Sequence, residues 1–146
     1  MAQIRGCHIP EDLYYWPEKH VWARPEEDGT VTVGITDVAQ HMAKGIINAM
    51  PKGVGKKVKR GRSLGTLESG KWVGPVTSPV TGEIVAVNEA AIANPKLINE
   101  DPYGQGWFAR IRPDNWDAEK AQMVTGSDGV AQYAQFLEQE GINCET

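Results

Sequence analysis

Between residues 21 and 113 the chain contains many short apolar runs that are separated largely by glycines and prolines. Residues 30–35 alternate between polar and apolar side chains, which is the pattern of a half-buried strand. Residues 21–24 have a similar β-prone composition, and the turn-forming residues 25–29 predict that the two runs pair as a hairpin. A succession of such short runs predicts a mainly β fold.

A few segments have helical character instead. Thr36 and Asp37 are typical helix caps, and they predict a short helix over residues 38–44. Residues 118–124 and 130–139 also have helical composition. The last segment carries an apolar stripe that predicts a face docked on the core: Val130, Tyr133, Ala134 and Leu137.

Length and overall charge limit the class of protein. A chain of 146 residues is expected to form one domain over residues 1–146, with a core at about 20–113, an N-terminal extension over 1–19 and a helical segment over 117–140. The net charge of −4 argues against nucleic-acid binding. No apolar run approaches the roughly 20 residues that span a bilayer, and the start lacks the apolar core of a signal peptide, so we expect a cytoplasmic protein without a membrane partner.

The charge is unevenly distributed along the chain. Between Asp37 and Glu68 there is no acidic residue. The basic residues of this segment are Lys44, Lys52, Lys56, Lys57, Lys59, Arg60 and Arg62. Such a segment produces a local positive field that steers an acidic partner, or it is a solvated basic face without a dedicated partner. The sequence leaves both hypotheses open.

The cysteines and histidines form no recognisable catalytic or metal-binding motif. Cys7 and Cys144 lie near opposite ends of the chain and lack the spacing of metal ligands, so we expect no metal site and two reduced thiols. The alternative is that the two tails meet, or that one thiol lies near a redox group and reacts. His8, His20 and His41 are scattered without a nucleophile–base pairing, which argues against an enzyme acting by itself.

One lysine stands out in the stretch of residues 67–87. Lys71 lies between Gly70 and Trp72, with Gly61 ten residues before it and Gly82 eleven residues after it. Two similar halves, each interpreted as strand, glycine turn and strand, suit a flattened sandwich of two sheets with the joining hairpin projecting from one edge. Lys71 would occupy the tip, where Gly70 permits a tight turn with positive φ.

An exposed lysine is usually a solubilising charge. A lysine nucleophile needs burial or a neighbouring cation to lower its pKa, and the tip of a hairpin provides little burial. An exposed tip suits covalent modification by another enzyme, because a long side chain there can carry a group to several partners.

Several stretches resemble one known family, the lipoyl-carrying H protein of the glycine cleavage system. They are residues 20–22, residues 29–37 with Ala39 and Gln40, residues 88–90, and residues 94–107. The last stretch, Asn-Pro-Lys-Leu-Ile-Asn-Glu-Asp-Pro-Tyr-Gly-Gln-Gly-Trp, is long and rich in rare residues. The resemblance implies the lipoyl-domain fold, a barrel-sandwich hybrid of the H-protein type with a short helix in its first half and C-terminal helices.

The resemblance also implies a modified residue. In the family the lysine lies in Glu-Ser-Val-Lys-Ala, and Glu68-Ser69-Gly70-Lys71-Trp72 occupies that position here. It implies that Lys71 carries lipoic acid as lipoamide and that Glu68 and Gly82 are recognised by a lipoate–protein ligase or lipoyl transferase. The implied role is that of a carrier without catalysis of its own.

Several residues depart from the family pattern. Gly70, Trp72 and the pair Gly74-Pro75 are unusual, and the segment before Lys71 is basic where the family has acidic residues. Trp72 is expected to pack on the arm, on a partner or simply on the hairpin. With these departures the chain resembles H-like lipoyl proteins that work beside a heterodisulfide-reductase-like complex in bacterial sulfur oxidation.

This resemblance favours an arm that shuttles sulfur or redox equivalents. One alternative is an H protein that carries an aminomethyl group among the glycine cleavage enzymes, including a dihydrolipoyl dehydrogenase. The other is an unmodified docking module.

Overall fold

The computed structural model describes residues 2–144, and these form mainly short strands. The strands are β1 (Ala2–Ile4), β2 (Cys7–Ile9), β3 (Tyr14–Trp16), β4 (Val21–Pro25), β5 (Val31–Ile35), β6 (Ile46–Pro51), β7 (Lys57–Val58), β8 (Ser63–Ser69), β9 (Val73–Thr77), β10 (Gly82–Val87), β11 (Ala109–Pro113) and β12 (Val124–Thr125). The helices are α1 (Asp37–Ala43), α2 (Glu89–Ala93), α3 (Lys96–Glu100), α4 (Trp116–Lys120) and α5 (Gly126–Glu140). A single 3-10 turn, Pro17–Lys19, precedes β4.

Antiparallel pairing assembles the strands into three sheets. The largest sheet has the order β12-β3-β4-β5-β11-β10-β7, the second has the order β6-β8-β9, and β1 pairs only with β2. Buried side chains from the two larger sheets belong to one core, among them Val33, Leu64, Leu67, Ile84 and Ile111. The predicted mainly β fold with few helices is therefore confirmed.

The hairpin of β4 and β5 forms where the alternating pattern predicts it. Its register runs from Val21 opposite Ile35 to Pro25 opposite Val31. The indole of Trp22 lies so close to Gly34 that a β carbon there would overlap the ring. Trp22 is fully buried, and its Nε1–H donates to the carbonyl oxygens of Ile35 and Pro102, each at 3.0 Å.

The helices match the sequence pattern in part. The Oγ1 of Thr36 accepts a hydrogen bond from the backbone N–H of Ala39 at 3.3 Å, so the predicted cap of α1 is confirmed. The predicted helix over 118–124 is wrong in extent. Helix α4 ends at Lys120, because Val124 extends to pair with Tyr15 at the edge of the large sheet.

Helix α5 docks on the core through its predicted stripe. Val130, Tyr133 and Leu137 are buried, which confirms this face as a packing surface. The ring centroids of Tyr133 and Tyr15 lie 5.6 Å apart in an edge-on arrangement. Among the residues that the structure describes, no helix is both long and apolar enough to cross a membrane.

The two ends of the chain meet at a disulfide between Cys7 and Cys144. Their α carbons are 5.1 Å apart, although the residues are 137 positions apart in sequence. The backbone N–H of Cys144 donates to the carbonyl of Arg5 at 2.8 Å, and the Nε of Arg5 donates to the carbonyl of Ile142 at 2.7 Å. The expectation of two reduced thiols is therefore wrong, and the alternative in which the tails meet describes the structure. The reason is that β2 lies beside the segment that leaves α5.

Candidate functional site: a lysine hairpin beside an apolar cleft

The hairpin of β8 and β9 presents Lys71 at its tip. Glu68 pairs with Val73, and the backbone N–H of Ser69 donates to the carbonyl of Trp72 at 2.7 Å to close the turn. The backbone N–H of Lys71 donates to the Oγ of Ser69 at 3.3 Å. The Lys71 side chain is exposed, and no ion pair holds it among the described residues. The predicted position at the tip of a hairpin agrees with this geometry.

Gly70 serves the turn in a different way from the one predicted. Its φ lies outside the left-handed region, so the expectation of a positive φ is wrong. Ser69 closes the turn instead, through its backbone N–H and its hydroxyl. No atom lies within 4 Å of a β carbon built on Gly70. The glycine therefore leaves the space beside Lys71 open.

Trp72 folds back along the hairpin over Gly74. A β carbon on Gly74 would overlap Cζ2 of the Trp72 indole, so the ring lies directly on the glycine backbone. Trp72 keeps 44% of its surface exposed. Trp72 and Gly74, which both depart from the family pattern, form one structural unit. The indole can take this position because Gly74 has no side chain.

A cleft of about 340 Å³ lies between this hairpin and helix α1. Its apolar wall is formed by Ile35, Ala39, Met42, Ala43, Leu67, Trp72 and Pro75. Its polar lining residues are Lys19, His20 and Lys71, and none of the described residues that line it is acidic. The lysine at the tip thus borders an apolar cavity, which the sequence alone did not reveal. The helical spacing of Ala39, Met42 and Ala43 is the signal that could have revealed it.

His20 forms part of the cleft wall and is uncharged at neutral pH. It has a left-handed backbone with a φ of 54°, and its Nδ1 lies 2.7 Å from the hydroxyl of Tyr133. The Tyr133 hydroxyl is in turn 2.8 Å from Oγ1 of Thr36. Burial lowers the pKa of His20 to about 4. The histidine that looked isolated in sequence is therefore a fixed, neutral group beside the cleft.

Glu68 and Gly82, the two expected recognition residues, lie in different sheets. Glu68 is near the end of β8, where its Oε1 accepts a hydrogen bond from Nδ2 of Asn48 at 2.8 Å. Gly82 begins β10 and pairs with Val58 and Pro113, so it lies in a strand and not in the turn that was predicted. A β carbon there would overlap the carbonyl oxygen of Arg112. Close packing explains this glycine, and its part in recognition remains a prediction.

Arg60, within the basic segment, is used in packing. Its guanidinium carbon lies 3.8 Å from the ring centroid of Trp16, an arrangement that stabilises both groups. Lys52, Lys56 and Lys57 are exposed. Steering of an acidic partner and simple solvation both remain compatible with this arrangement.

No metal-binding cluster accompanies the lysine. Within residues 2–144, no group of three or more His, Cys, Asp or Glu side chains lies close enough together to hold an ion. The groups of this site that can react with or bind another molecule are therefore the Lys71 amine and the side chains that line the cleft.

Comparison with known proteins gives consistent matches. A family model described as "Glycine cleavage H-protein" matches residues 13–140. Two proteins of Aquifex aeolicus (strain VF5), glycine cleavage system H proteins 2 and 5, are 49% and 47% identical to this chain, cover 99% of it and are themselves covered over 89% and 99% of their lengths. The crystal structure of a glycine cleavage system H protein from Mycobacterium marinum is 33% identical, with a TM-score of 0.73 over 92% of this chain and 100% of that chain.

Proposed function

This chain belongs to the glycine cleavage H-protein family, whose members are lipoyl carriers without catalysis of their own, and we propose that its lipoyl group is attached to Nζ of Lys71. The observation that carries this proposal is the exposed position of Lys71 at the tip of the β8–β9 hairpin. An amide bond requires an accessible amine that a modifying enzyme can surround. Lys19 also lines the cleft, but it lies in the 3-10 turn and not at the tip of a hairpin.

The residues around Lys71 fit a lipoyl group. The open space at Gly70 gives access to the amine, and Glu68 lies at the base of the tip where a ligase or transferase would contact it. The cleft beside Lys71 provides apolar surface that matches a hydrocarbon arm. When bound, the lipoyl group supplies a cyclic disulfide that can be opened to a dithiol or loaded with a thiol-bound group.

The residues of the chain position the group and shield it. The paired strands and the Ser69 hydrogen bonds fix the tip, so the attachment point is rigid while the side chain is free. Trp72 and Met42 provide exposed apolar surface in the cleft that an attached arm can cover. Partner enzymes supply the chemistry.

Carriage of an aminomethyl group within the glycine cleavage system is the first candidate for the cargo. The family match and the names of the relatives favour it. Its partners would be the glycine cleavage enzymes, including a dihydrolipoyl dehydrogenase, together with a lipoate–protein ligase or lipoyl transferase.

Carriage of sulfur or redox equivalents for a heterodisulfide-reductase-like complex is the second candidate. The comparisons give it no direct support. The Trp72–Gly74 unit favours it, because a large indole next to the attachment point departs from the pattern of the parent family.

A cytoplasmic location is part of the proposal for both candidates. The Cys7–Cys144 disulfide restricts this location to cells whose interior permits such bonds. Such bonds are rare inside the cells of mesophiles and common in the intracellular proteins of hyperthermophiles.

Intact mass with peptide mapping of the protein isolated from its native host tests the attachment. A single lipoyl adduct on Lys71 supports the proposal, and its loss in Lys71→Arg but not in Lys57→Arg identifies the residue. A mass equal to that of the bare chain would refute it and favour the unmodified docking module.

The cargo needs a second experiment. The lipoylated protein, with its arm in the disulfide form, is incubated with the glycine-decarboxylating enzyme of the glycine cleavage system and glycine labelled at the α carbon, which the aminomethyl group retains while the carboxyl carbon leaves as carbon dioxide. Transfer of label to the Lys71 peptide supports the first candidate. A lipoylated protein that acquires no label would favour the second.

A further inference from the structure

The basic segment over residues 52–62 lies at the far end of β8 from Lys71. It leaves β6 after Pro51, adds β7 to the edge of the large sheet and returns to Ser63, where β8 begins. From Ser63 to Ser69, β8 spans about 20 Å at the rise of an antiparallel strand. Lys71 lies beyond the Ser69 end, in the turn to β9. A protein can therefore contact this segment without covering the tip.

Hydrogen bonds to both larger sheets hold the backbone of this segment in place. The backbone N–H of Lys52 donates to the carbonyl of Leu64 in β8 at 2.8 Å. The carbonyl of Lys56 accepts a hydrogen bond from the backbone N–H of Ile84 in β10, also at 2.8 Å. The positive side chains therefore project from a fixed backbone. A partner that binds them orders side chains only, which limits the entropic cost of association.

The positive charges of this segment are not neutralised within the part of the chain that the structure describes. Neither of the two ion pairs found in residues 2–144 involves it. Glu83 lies opposite Lys57 in the strand pairing but forms no ion pair with it, and the carboxylate of Glu119 accepts its hydrogen bonds from Thr81. Their field is therefore available to a charge outside the chain. We call these six basic residues, together with Val54, the basic face; they are Lys52, Lys56, Lys57, Lys59, Arg60 and Arg62, and all except Arg60 are exposed.

Arg60 and Val54 add a fixed geometry and apolar surface to this charge. The guanidinium of Arg60 is held on the ring of Trp16, and its buried Nε has no hydrogen-bond partner among the described residues. A guanidinium held in one orientation is suited to pair with a carboxylate through two N–H groups. Val54 keeps 62% of its surface exposed between Lys52 and Lys56. The chemistry that fits this face is a carboxylate next to an apolar side chain.

The charge of the rest of the chain restricts the size of a negative partner. The six basic residues leave nine of the 15 Lys and Arg residues elsewhere, against all 19 Asp and Glu residues. A nucleic acid or an anionic membrane extends beyond a segment of this size and would meet that negative excess. An acidic protein surface can match the basic face alone, which favours a protein as the partner.

We infer that the basic face is a docking surface for a protein partner that presents Asp or Glu side chains around an apolar one. A chain bound there keeps Lys71 accessible, because the tip lies at the other end of β8. Docking and modification of the lysine are then separate events, and neither requires the other. The inference goes beyond the attachment proposed for Lys71 and does not depend on it.

Fluorescence anisotropy with a labelled synthetic peptide tests the inference. The peptide alternates one leucine with two glutamates, and its counterpart has glutamine at every glutamate position. We expect the glutamate peptide to bind the full chain about tenfold more tightly than the glutamine peptide at low salt, and to bind more weakly as salt is added. NMR should place the shifted backbone amides at residues 50–62 and their strand neighbours. Absence of binding by the glutamate peptide, or shifts confined to other residues, would overturn the inference.

Two pairs of charge reversals, which change the net charge equally, locate the site. Lys52→Glu/Lys56→Glu alters the basic face, whereas Lys44→Glu/Lys96→Glu alters exposed lysines outside it. The first pair should weaken binding of the glutamate peptide about tenfold, and the second should change it by less than about twofold. Circular dichroism verifies that both variants fold. Equal affinities of the two variants would contradict the site.

The apolar part of the face and the class of partner are measured in the same assay. Val54→Ala should weaken binding of the glutamate peptide about threefold, because it removes apolar surface from the contact. Ile92→Ala, which shortens an exposed apolar side chain elsewhere, should leave the affinity unchanged. A single-stranded oligonucleotide and vesicles of phosphatidylglycerol are tested in parallel. Binding of either as tight as that of the glutamate peptide would overturn the assignment of a protein partner.

Lipoylation measures whether docking leaves the tip accessible. The glutamate peptide is fused to a globular protein, and a purified lipoate–protein ligase modifies the chain with and without a saturating amount of this fusion. We expect the two rates at Lys71 to agree within about twofold. A lower rate with the fusion would contradict the separation of the two sites. If Lys71 is not lipoylated in either sample, the proposed function fails, while binding of the peptide still decides whether the basic face is a docking surface.

Discussion

The indole of Trp72 lies against the backbone of Gly74, two residues further along the same hairpin, so that any side chain at Gly74 would occupy the space of the ring. The contact orients Trp72 into the wall of the cleft that Lys71 borders. The absence of a side chain at Gly74 therefore determines which aromatic surface lies beside Lys71.

Gly74→Ala should displace the indole and lower the free energy of unfolding by about 0.5–1 kcal/mol, because the half-exposed ring can move aside. Denaturant unfolding measures this change. Gly70→Ala is the matched control, because the space around Gly70 is open and its φ is not positive. The double variant Trp72→Ala/Gly74→Ala should recover most of the loss. A Gly74→Ala protein as stable as Gly70→Ala would contradict the contact.

Cys144→Ser should lower the free energy of unfolding by about 2–5 kcal/mol, because the disulfide closes a loop of more than a hundred residues in the unfolded chain. Cys144 is the better position to change, since Cys7 is fully buried and a hydroxyl there would add a separate penalty. The denaturation midpoint of the wild type should fall on adding reductant, whereas that of Cys144→Ser should not move. If the denaturation midpoint of the wild type is the same with and without reductant, the disulfide is refuted.

His20 should make stability depend on pH between about 6.5 and 4. Its pKa in the folded protein is about 4, below the ordinary value of 6.5, so the unfolded chain binds the proton more tightly. The stabilisation is fully present above pH 6.5 and is lost as pH falls towards 4, by up to about 3 kcal/mol.

His20→Asn provides the comparison for this pH dependence. Asparagine tolerates the left-handed backbone and can still hydrogen-bond to Tyr133. Urea unfolding from pH 7 to pH 4 should show a steeper loss for the wild type than for the variant. Parallel curves would mean that His20 is not held neutral by the fold.

Glu68→Gln should separate recognition from folding. The glutamine carbonyl can still accept the hydrogen bond from Asn48, so stability should stay within about 0.5 kcal/mol of the wild type. Lipoylation by a purified ligase, followed by mass spectrometry, should be slowed by the lost charge. A rate equal to that of the wild type would remove Glu68 from the recognition surface.

Gly82→Ala should behave differently, because it places a methyl group against the Arg112 carbonyl inside the large sheet. We expect a loss of about 1–3 kcal/mol in the free energy of unfolding. Any fall in lipoylation should then follow the folded fraction, as measured by circular dichroism on the same samples. Slow lipoylation of a fully folded Gly82→Ala protein would instead support direct recognition.

Features that depend on neighbours in sequence were predictable. Alternation over residues 30–35 indicated the β4–β5 hairpin, Thr36 indicated the start of α1, and the stripe containing Tyr133 indicated a docking face. The resemblance to the H-protein family indicated Lys71, whose position at a tip is a property of its own short hairpin. These features are local because steric limits on the backbone and side-chain periodicity act over a few residues.

The tertiary structure decided which distant groups meet. Cys7 and Cys144 are 137 residues apart, His20 and Tyr133 are 113 apart, and neither pair has a spacing that sequence could interpret. Gly82 packs against the backbone of the neighbouring strand β11, which sequence does not show. Val124 was predicted in a helix and lies instead in an edge strand paired with Tyr15. Local chemistry specified the elements and the hairpin that presents Lys71, whereas packing between surfaces far apart in the chain determined the cleft and the Cys7–Cys144 disulfide.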